Sequence, residues 1–343
     1  MNPGTSTSHG NLSSLDGLRG MACLMVLFNH YSEIPFFDSI DSGKSGVALF
    51  FTLSGFLMAY HYMPGIPSIR YWGAFFVRRF FRIYPAFFIT LLALGLVHGI
   101  SGFAARMFTW NTVINHWLML SSINRFWFVR EEFSFYLLFP FIAVALLYLP
   151  VTSQKKLCVL LALWVAILVY SANITAISNN HSTCLSFFIG GIAAGLFQHL
   201  PASRHMLPQR LWNIVATVAL CLTVMVAELF PPVASPDHIL WHHTWFFSPV
   251  MALATLSLAY ATGITQRLFS CRASRFIGHI SFSLYLIFGN VFYAGKYYLH
   301  TDLPSLNIFI SALIAVMVSC GLYMAIERPF NRLGRKISMA IMR

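Results

Sequence analysis

Apolar runs of about twenty residues recur from one end of the chain to the other, each the length a helix needs to cross a hydrocarbon core. They fall at 17–34, 45–63, 83–100, 128–150, 157–177, 182–199, 211–230, 245–262, 276–295 and 305–326. The pattern predicts an all-α membrane protein of about ten transmembrane helices. A further helix is expected around 106–122, where Trp110 and Trp117 suit the membrane interface. Because the runs fill the chain, residues 1–343 are expected to form a single integral-membrane domain. A polar tail at 1–14 and a basic tail at 329–343 flank it.

Composition agrees. Of 343 residues, 58% are hydrophobic and 9% are charged, against roughly 25% charged in soluble domains. The net charge of +12 does not point to nucleic acid, because the basic residues sit in short clusters between apolar runs, as topology signals do. With the N-terminus inside, 17 of the 22 Lys and Arg fall on the cytoplasmic side; Lys44, Arg106, Arg125, Arg130 and Lys296 fall outside. Both termini are therefore expected in the cytoplasm. The six cysteines are scattered, without a CxxC pair, and read as packing residues. The first apolar run follows a Ser/Thr/Asn/Gly tail and carries Asp16 and Arg19 at its mouth, so it reads as a span and not a cleaved leader.

Ionisable groups inside spans are costly, which makes each a candidate for function. The first span offers Asp16, Arg19 and His30. Eleven helical residues turn to about 20° past three full turns and rise about 16 Å, so Arg19 and His30 share one face. Glu131 and Glu132 begin the fourth span; the positive end of a helix favours a carboxylate there, and periodicity does not choose between the two. Arg78, Arg79 and Arg82 lie within five residues at an expected helix start. They read either as snorkelling topology residues or as a fork-shaped donor set for the phosphates of a cytosolic ligand. Ser54 and Gly55 inside the second span suit close helix packing. The His242-His243 pair has no third ligand at metal spacing, so no metal is expected, and no P-loop, GxSxG, HExxH or dinucleotide motif is present.

Taken in order, these stretches resemble the integral-membrane acyltransferase family 3. Leu15-Asp16-Gly17-Leu18-Arg19-Gly20 followed by His30 is similar to the family's R-x10-H element. Gly46-Val47, Phe50-Phe51 and Ser54-Gly55-Phe56-Leu57 resemble its second-helix signature, and Arg79-x-x-Arg82 with Pro85 its RxxR element. Trp127, Glu132, Phe135-Tyr136 and Pro140 resemble W-x4-E-x2-FY, a spacing that selects Glu132 over Glu131. Phe187 to Gly190, Ser281 to Leu286 and Glu327-Arg328-Pro329-Phe330 continue the resemblance. Three positions depart: Ala48 and Phe133 stand where many relatives carry an acid, and Phe288 where many carry a histidine.

The resemblance implies acyl transfer, most often of acetyl, from cytosolic acetyl-CoA to a sugar hydroxyl of a surface polysaccharide, O-antigen or lipid-linked glycan. On this expectation Arg78, Arg79 and Arg82 hold the CoA phosphates. His30 acts as general base, or carries the acyl group covalently. Glu132 orients His30 or holds the acceptor. Arg19 either steers the donor or pairs with Asp16, and Asp16, Ser54, Trp127 and Tyr136 are the expected substrate contacts. The extra hydrolase-like domain of some relatives is not found in these residues, so the membrane domain is expected to handle the acceptor, in the cytoplasmic membrane. The rival reading is a proton-coupled transporter or flippase, against which the hydropathy pattern shows no internal repeat.

Overall fold

The computed structural model describes residues 12–30, 42–64, 68–101, 109–120, 126–173, 180–200, 203, 206–225, 243–299 and 304–343. Every described element is helical. In chain order they are α1 (Leu12–His30), α2 (Ser42–Tyr62), α3 (Ile69–Ser101), α4 (Trp110–Trp117), α5 (Trp127–Tyr148), α6 (Ser153–Asn173) and α7 (Asn180–Gln198). There follow α8 (Gln209–Val224), α9 (Thr244–Tyr260), α10 (Ile264–Ser270), α11 (Arg272–Tyr298), α12 (Pro304–Leu322), a π-helical turn (Tyr323–Glu327) and α13 (Arg328–Ile341).

Each of the ten expected apolar runs coincides, in whole or in part, with one of these helices. By length and hydropathy, five described helices can cross a membrane: α3, α5, α6, α11, and α12 continued through α13 as Leu306–Ile341. The bent pair α9–α10, with a 91° break, makes a sixth. Helix α8 is short for the test at 16 residues, and α1, α2 and α7 carry Ser, Thr, Gly, Asn or His within their runs.

Two compact units emerge from the described contacts. One comprises residues 1–25, 34–64 and 151–279; the other comprises residues 26–33, 65–150 and 280–343. In the first unit, α2 and α7 approach closely enough to exclude side chains. A Cβ on Gly191 would sit 2.0 Å from the Thr52 carbonyl oxygen, one on Gly55 2.1 Å from that of Phe188, and one on Gly195 2.6 Å from that of Phe56. Small residues four apart let two backbones meet where no hydrophobic effect drives association. Ser186, Ser248 and Trp164 add a buried chain. Trp164 Nε1 donates to Ser248 Oγ at 3.0 Å, and that hydroxyl donates to the Ser186 carbonyl at 3.0 Å.

In the second unit α3 is the axis. Its 33 residues span about 50 Å, and it begins at Ile69, well before the arginines. The expected helix start at 78–82 is therefore corrected. An apolar window stops at charged residues, whereas the helix continues through them because other helices supply their partners. The short helix α4 lies along the second half of α3: Trp110 approaches Gly95, Trp117 stacks on Phe88 at 4.4 Å, and Tyr84 donates to the Trp117 carbonyl at 3.1 Å. It ends in a left-handed residue, Met119 at φ 58°, whose N–H bonds to the His116 carbonyl while that of Leu120 bonds to Asn115. Left-handed backbone strains a side chain that glycine lacks. Met119→Gly is accordingly expected to raise unfolding stability by roughly 0.5–1 kcal/mol, read as a shift in the thermal midpoint of the detergent-purified protein.

Candidate functional site

The α3 arginines separate by helical phase into three environments. Arg79 is buried, at 9% exposure. Its guanidinium carbon lies 5.6 Å from the centroid of Phe75, one turn earlier, and 5.3 Å from that of Tyr136 on α5. The floor beneath it is aromatic: Phe75, Phe139 and Trp72 make ring contacts at 5.7–6.2 Å. Burying a charge demands compensation, and the negative faces of these rings supply part of it.

Beyond the Tyr136 ring stands a carboxylate. Tyr136 donates its hydroxyl to Glu132 Oε1 at 2.5 Å, one turn back along α5. Arg79 and Arg82 both lie within electrostatic reach of that hydroxyl. Arg79, Arg82, Tyr136 and Glu132 thus form one charged cluster between two apolar helices. Glu131 turns elsewhere. It is buried at 4% exposure and pairs with Arg130 at 3.2 Å. The adjacent Phe133, in place of an acid, gives the cluster an apolar wall with Tyr84 and Tyr136.

Arg78, the third arginine expected to hold donor phosphates, donates Nε to Ser338 Oγ of α13 at 2.5 Å. The basic tail expected at 329–343 is helical: α13 docks on the first half of α3. Gly334 meets Phe81, where a Cβ would come within 2.6 Å, and Phe330 stacks on Phe81. At the far end Arg70 reaches the Arg343 carbonyl. Sequence reasoning passed over Ser338, although Phe330, Gly334, Ser338 and Ile341 recur on one helical face. Just before α13, Glu327 is buried in the π-helical turn and accepts from Ser283 Oγ of α11 at 2.7 Å.

The first helix explains its own glycines. A Cβ on Gly17 would sit 1.9 Å from the Phe269 carbonyl oxygen. One on Gly20 would meet that of Ser274 at 2.7 Å, and one on Gly278 that of Asp16 at 1.8 Å. These contacts seat the stretch bearing Asp16 and Arg19 directly on α10 and α11. Arg19 Nη1 approaches Asp16 Oδ1 at 3.5 Å, which is the pairing alternative of the two weighed above. His30 is the last residue of α1, continuous with Arg19, and its side chain lies outside the described residues. Ser54 sits on α2 beside the Gly55 contact, in the first unit, and Trp127 is the first residue of α5, half-buried in the second. His242 lies outside the described residues; His243 precedes α9. Among the described residues no group of three His, Cys, Asp or Glu could hold a metal ion.

A buried arginine and tyrosine beside a half-buried glutamate, carried on helices long and apolar enough to cross a membrane, define a multi-pass membrane protein with a polar site among its apolar helices. The comparisons place it in a family: the Acyltransferase domain family matches residues 12–324, and the chain belongs to that family, acyltransferase family 3. A Staphylococcus aureus (strain COL) protein provisionally named an O-acetyltransferase is 23% identical over 367 residues, covering 95% of this chain and 58% of its own length. A Bacillus subtilis (strain 168) protein provisionally named a peptidoglycan O-acetyltransferase is 22% identical, covering 95% of this chain and 56% of its own. Nodulation protein 10 of Rhizobium leguminosarum bv. viciae is 30% identical over 111 residues, 30% of this chain and 29% of its own length. The chain therefore spans a little over half the length of the first two relatives. No solved structure matches it.

Proposed function

We propose that this chain moves an acyl group, as acetyl, from cytosolic acyl-CoA to a sugar hydroxyl of a surface polysaccharide, O-antigen, lipid-linked glycan or peptidoglycan. The observation that carries the reading is the Arg79–Tyr136–Glu132 cluster, with Arg82 beside it, in an apolar helix pair. Membership of an acyltransferase family supports it, and the name of the Bacillus subtilis relative supports a cell-wall glycan among the acceptors. In this reading the protein crosses the cytoplasmic membrane ten times with both termini inside, as the 17-to-5 bias of its basic residues favours.

Arg79 and Arg82 hold the phosphates of the donor, and Arg78 contributes from the side held by Ser338. The donor's pantetheine arm, on the order of 15–20 Å, is long enough to thread a channel of the span set by the helical rise between Arg19 and His30. His30 removes the proton from the acceptor hydroxyl, whose oxygen attacks the thioester carbonyl. The carbon–sulfur bond breaks, and the imidazolium returns its proton to the departing thiolate, giving an ester and free CoA. Glu132 holds the acceptor or orients His30, and Tyr136 fixes the carboxylate. Arg19, paired with Asp16, sets the field at the opposite end of α1. Ser54 and Trp127 contact the acceptor, and no metal takes part.

The test measures CoA released from acetyl-CoA by purified protein, with glycan acceptors supplied. His30→Ala is expected to lower turnover by about 10²–10⁴-fold while CoA still binds, and Arg82→Ala is expected to weaken CoA binding. Wild-type protein that neither binds CoA nor releases it with any acceptor would overturn the reading.

A further inference from the structure

The helix α13 has two faces with different fates, and only one of them is used within the described structure. Phe330, Gly334, Ser338 and Ile341 face α3. At 100° per residue, Arg328, Arg332, Arg335 and Lys336 fall within a sector of about 100° on the opposite side. All four are exposed, as is Arg343 in the same sector. No acidic residue follows Glu327 in the sequence, and among the described residues none of the five forms an ion pair. Four cations along about 12 Å of helix repel one another, and among the described residues none of them has an ion-pair partner.

Their height along the helix identifies what can neutralise them. Leu306–Ile341 runs as one apolar-to-basic helix. Its apolar run closes at residue 326, and the stripe starts two residues later. Beyond the hydrocarbon lies a headgroup layer of about 5–7 Å on each side. With a rise of 1.5 Å per residue, Arg328 stands within that layer and Arg332, about 9 Å past the run, lies just beyond it, where its long side chain reaches back. Arg335 and Lys336 stand about 14–15 Å past the run, within the roughly 8 Å beyond the layer over which charges act in physiological salt. Leu333, 43% exposed, sits beside the stripe between Arg332 and Arg335. Apolar side chains beside cations are the composition that suits the boundary between headgroup and acyl chain. A soluble acidic partner would have to enter the headgroup layer to reach Arg328; a lipid phosphate is already there.

We propose that the outward face of α13, formed by Arg328, Arg332, Arg335 and Lys336, is a binding surface for the phosphate headgroups of anionic phospholipids. The inference rests on the span at 305–326 proposed above, and not on the reaction. Because the opposite face of α13 carries Ser338, bonded to Arg78, lipid on one side of this helix steadies an arginine on the other. The binding surface itself is tested without any activity measurement.

The protein is reconstituted into phosphatidylcholine vesicles containing a minority of phosphatidylglycerol. Association of spin-labelled phosphatidylglycerol and spin-labelled phosphatidylcholine is then compared by electron paramagnetic resonance. Wild type is expected to prefer the anionic label, and the preference to shrink as salt is raised. The variant Arg328→Gln/Arg332→Gln/Arg335→Gln/Lys336→Gln is expected to lose about fivefold or more of that preference, the effect of a single well-placed cation at a membrane surface. The charge-retaining variant Arg328→Lys/Arg332→Lys/Arg335→Lys is expected to keep it, which separates lost charge from lost fold. No preference in the wild type, or an undiminished preference in the glutamine variant, overturns the proposal; in either case CoA binding and release remain separately measurable.

Discussion

Arg79→Met is expected to destabilise the protein by about 2 kcal/mol or more, while Arg78→Gln, one residue away, costs about 1 kcal/mol. Arg79 is buried against Phe75 and Tyr136, and Tyr136 in turn donates to Glu132. Removing the guanidinium strips two aromatic faces of the cation that they hold in a desolvated place, and it lowers the positive charge beside Tyr136 and its half-buried carboxylate partner. Methionine fills most of the volume, so cavity formation adds little. Arg78 is exposed and loses one hydrogen bond, to Ser338, in a place where water can substitute. The measurement is equilibrium or thermal unfolding of detergent-purified variants, followed by CoA binding. Equal losses from the two substitutions would mean that the three arginines act as one undifferentiated basic patch, and the cluster would lose its standing as the site.

That contrast marks where the sequence stops being legible. The all-helical architecture and its apolar runs could be read directly, because the bilayer fixes the length of a spanning segment and leaves few alternatives. The start of α3 could not. A charge-free window ends at Arg82, and nothing in the local sequence reveals that Tyr136 and Ser338, 54 and 256 residues downstream of that arginine, receive its neighbours. Successive helical residues point 100° apart, so the stretch from Arg78 to Arg82 was bound to divide among partners, but which partner each meets is a tertiary fact. Periodicity did not choose between Glu131 and Glu132; only the resemblance did. What the structure adds is that Tyr136, four residues after Glu132, meets it at a spacing where side chains on a helix touch.

The glycines tell the same story from the other side. Gly17 and Gly20 could be noticed in sequence only as flanks of Arg19, and the carbonyls they approach belong to α10 and α11. Their role is to press the start of α1 against those helices, which fixes the position of Asp16 and Arg19 before any ligand arrives. Preorganisation of this kind reduces what a bound substrate must order. The stretch after α12 was read only as a basic tail; Gly334 and Ser338 on one face were the signal that a helix docks there.

Gly191→Leu is expected to remove folded protein altogether, whereas Gly321→Ala leaves stability unchanged or slightly raised. Both glycines lie inside helices, so backbone propensity alone favours either substitution by about 1 kcal/mol. Their surroundings reverse that for one and not the other. A Cβ at Gly191 would stand 2.0 Å from the Thr52 carbonyl oxygen and 2.9 Å from the Phe56 nitrogen, both backbone atoms that no rotamer change can move; at Gly321 nothing lies within 4 Å. Accommodating leucine therefore requires α2 and α7 to separate, which also opens the contacts at Gly55 and Gly195. In lipid the separated faces gain no hydrophobic penalty to pull them back, so lost packing is not recovered elsewhere. Overpacking typically costs 1–3 kcal/mol when side chains can yield, and here they cannot, so a larger loss is expected. Yield of monodisperse protein and its melting temperature decide the matter. A Gly191→Leu protein that elutes and melts like the wild type would show that α2 and α7 do not meet at this distance.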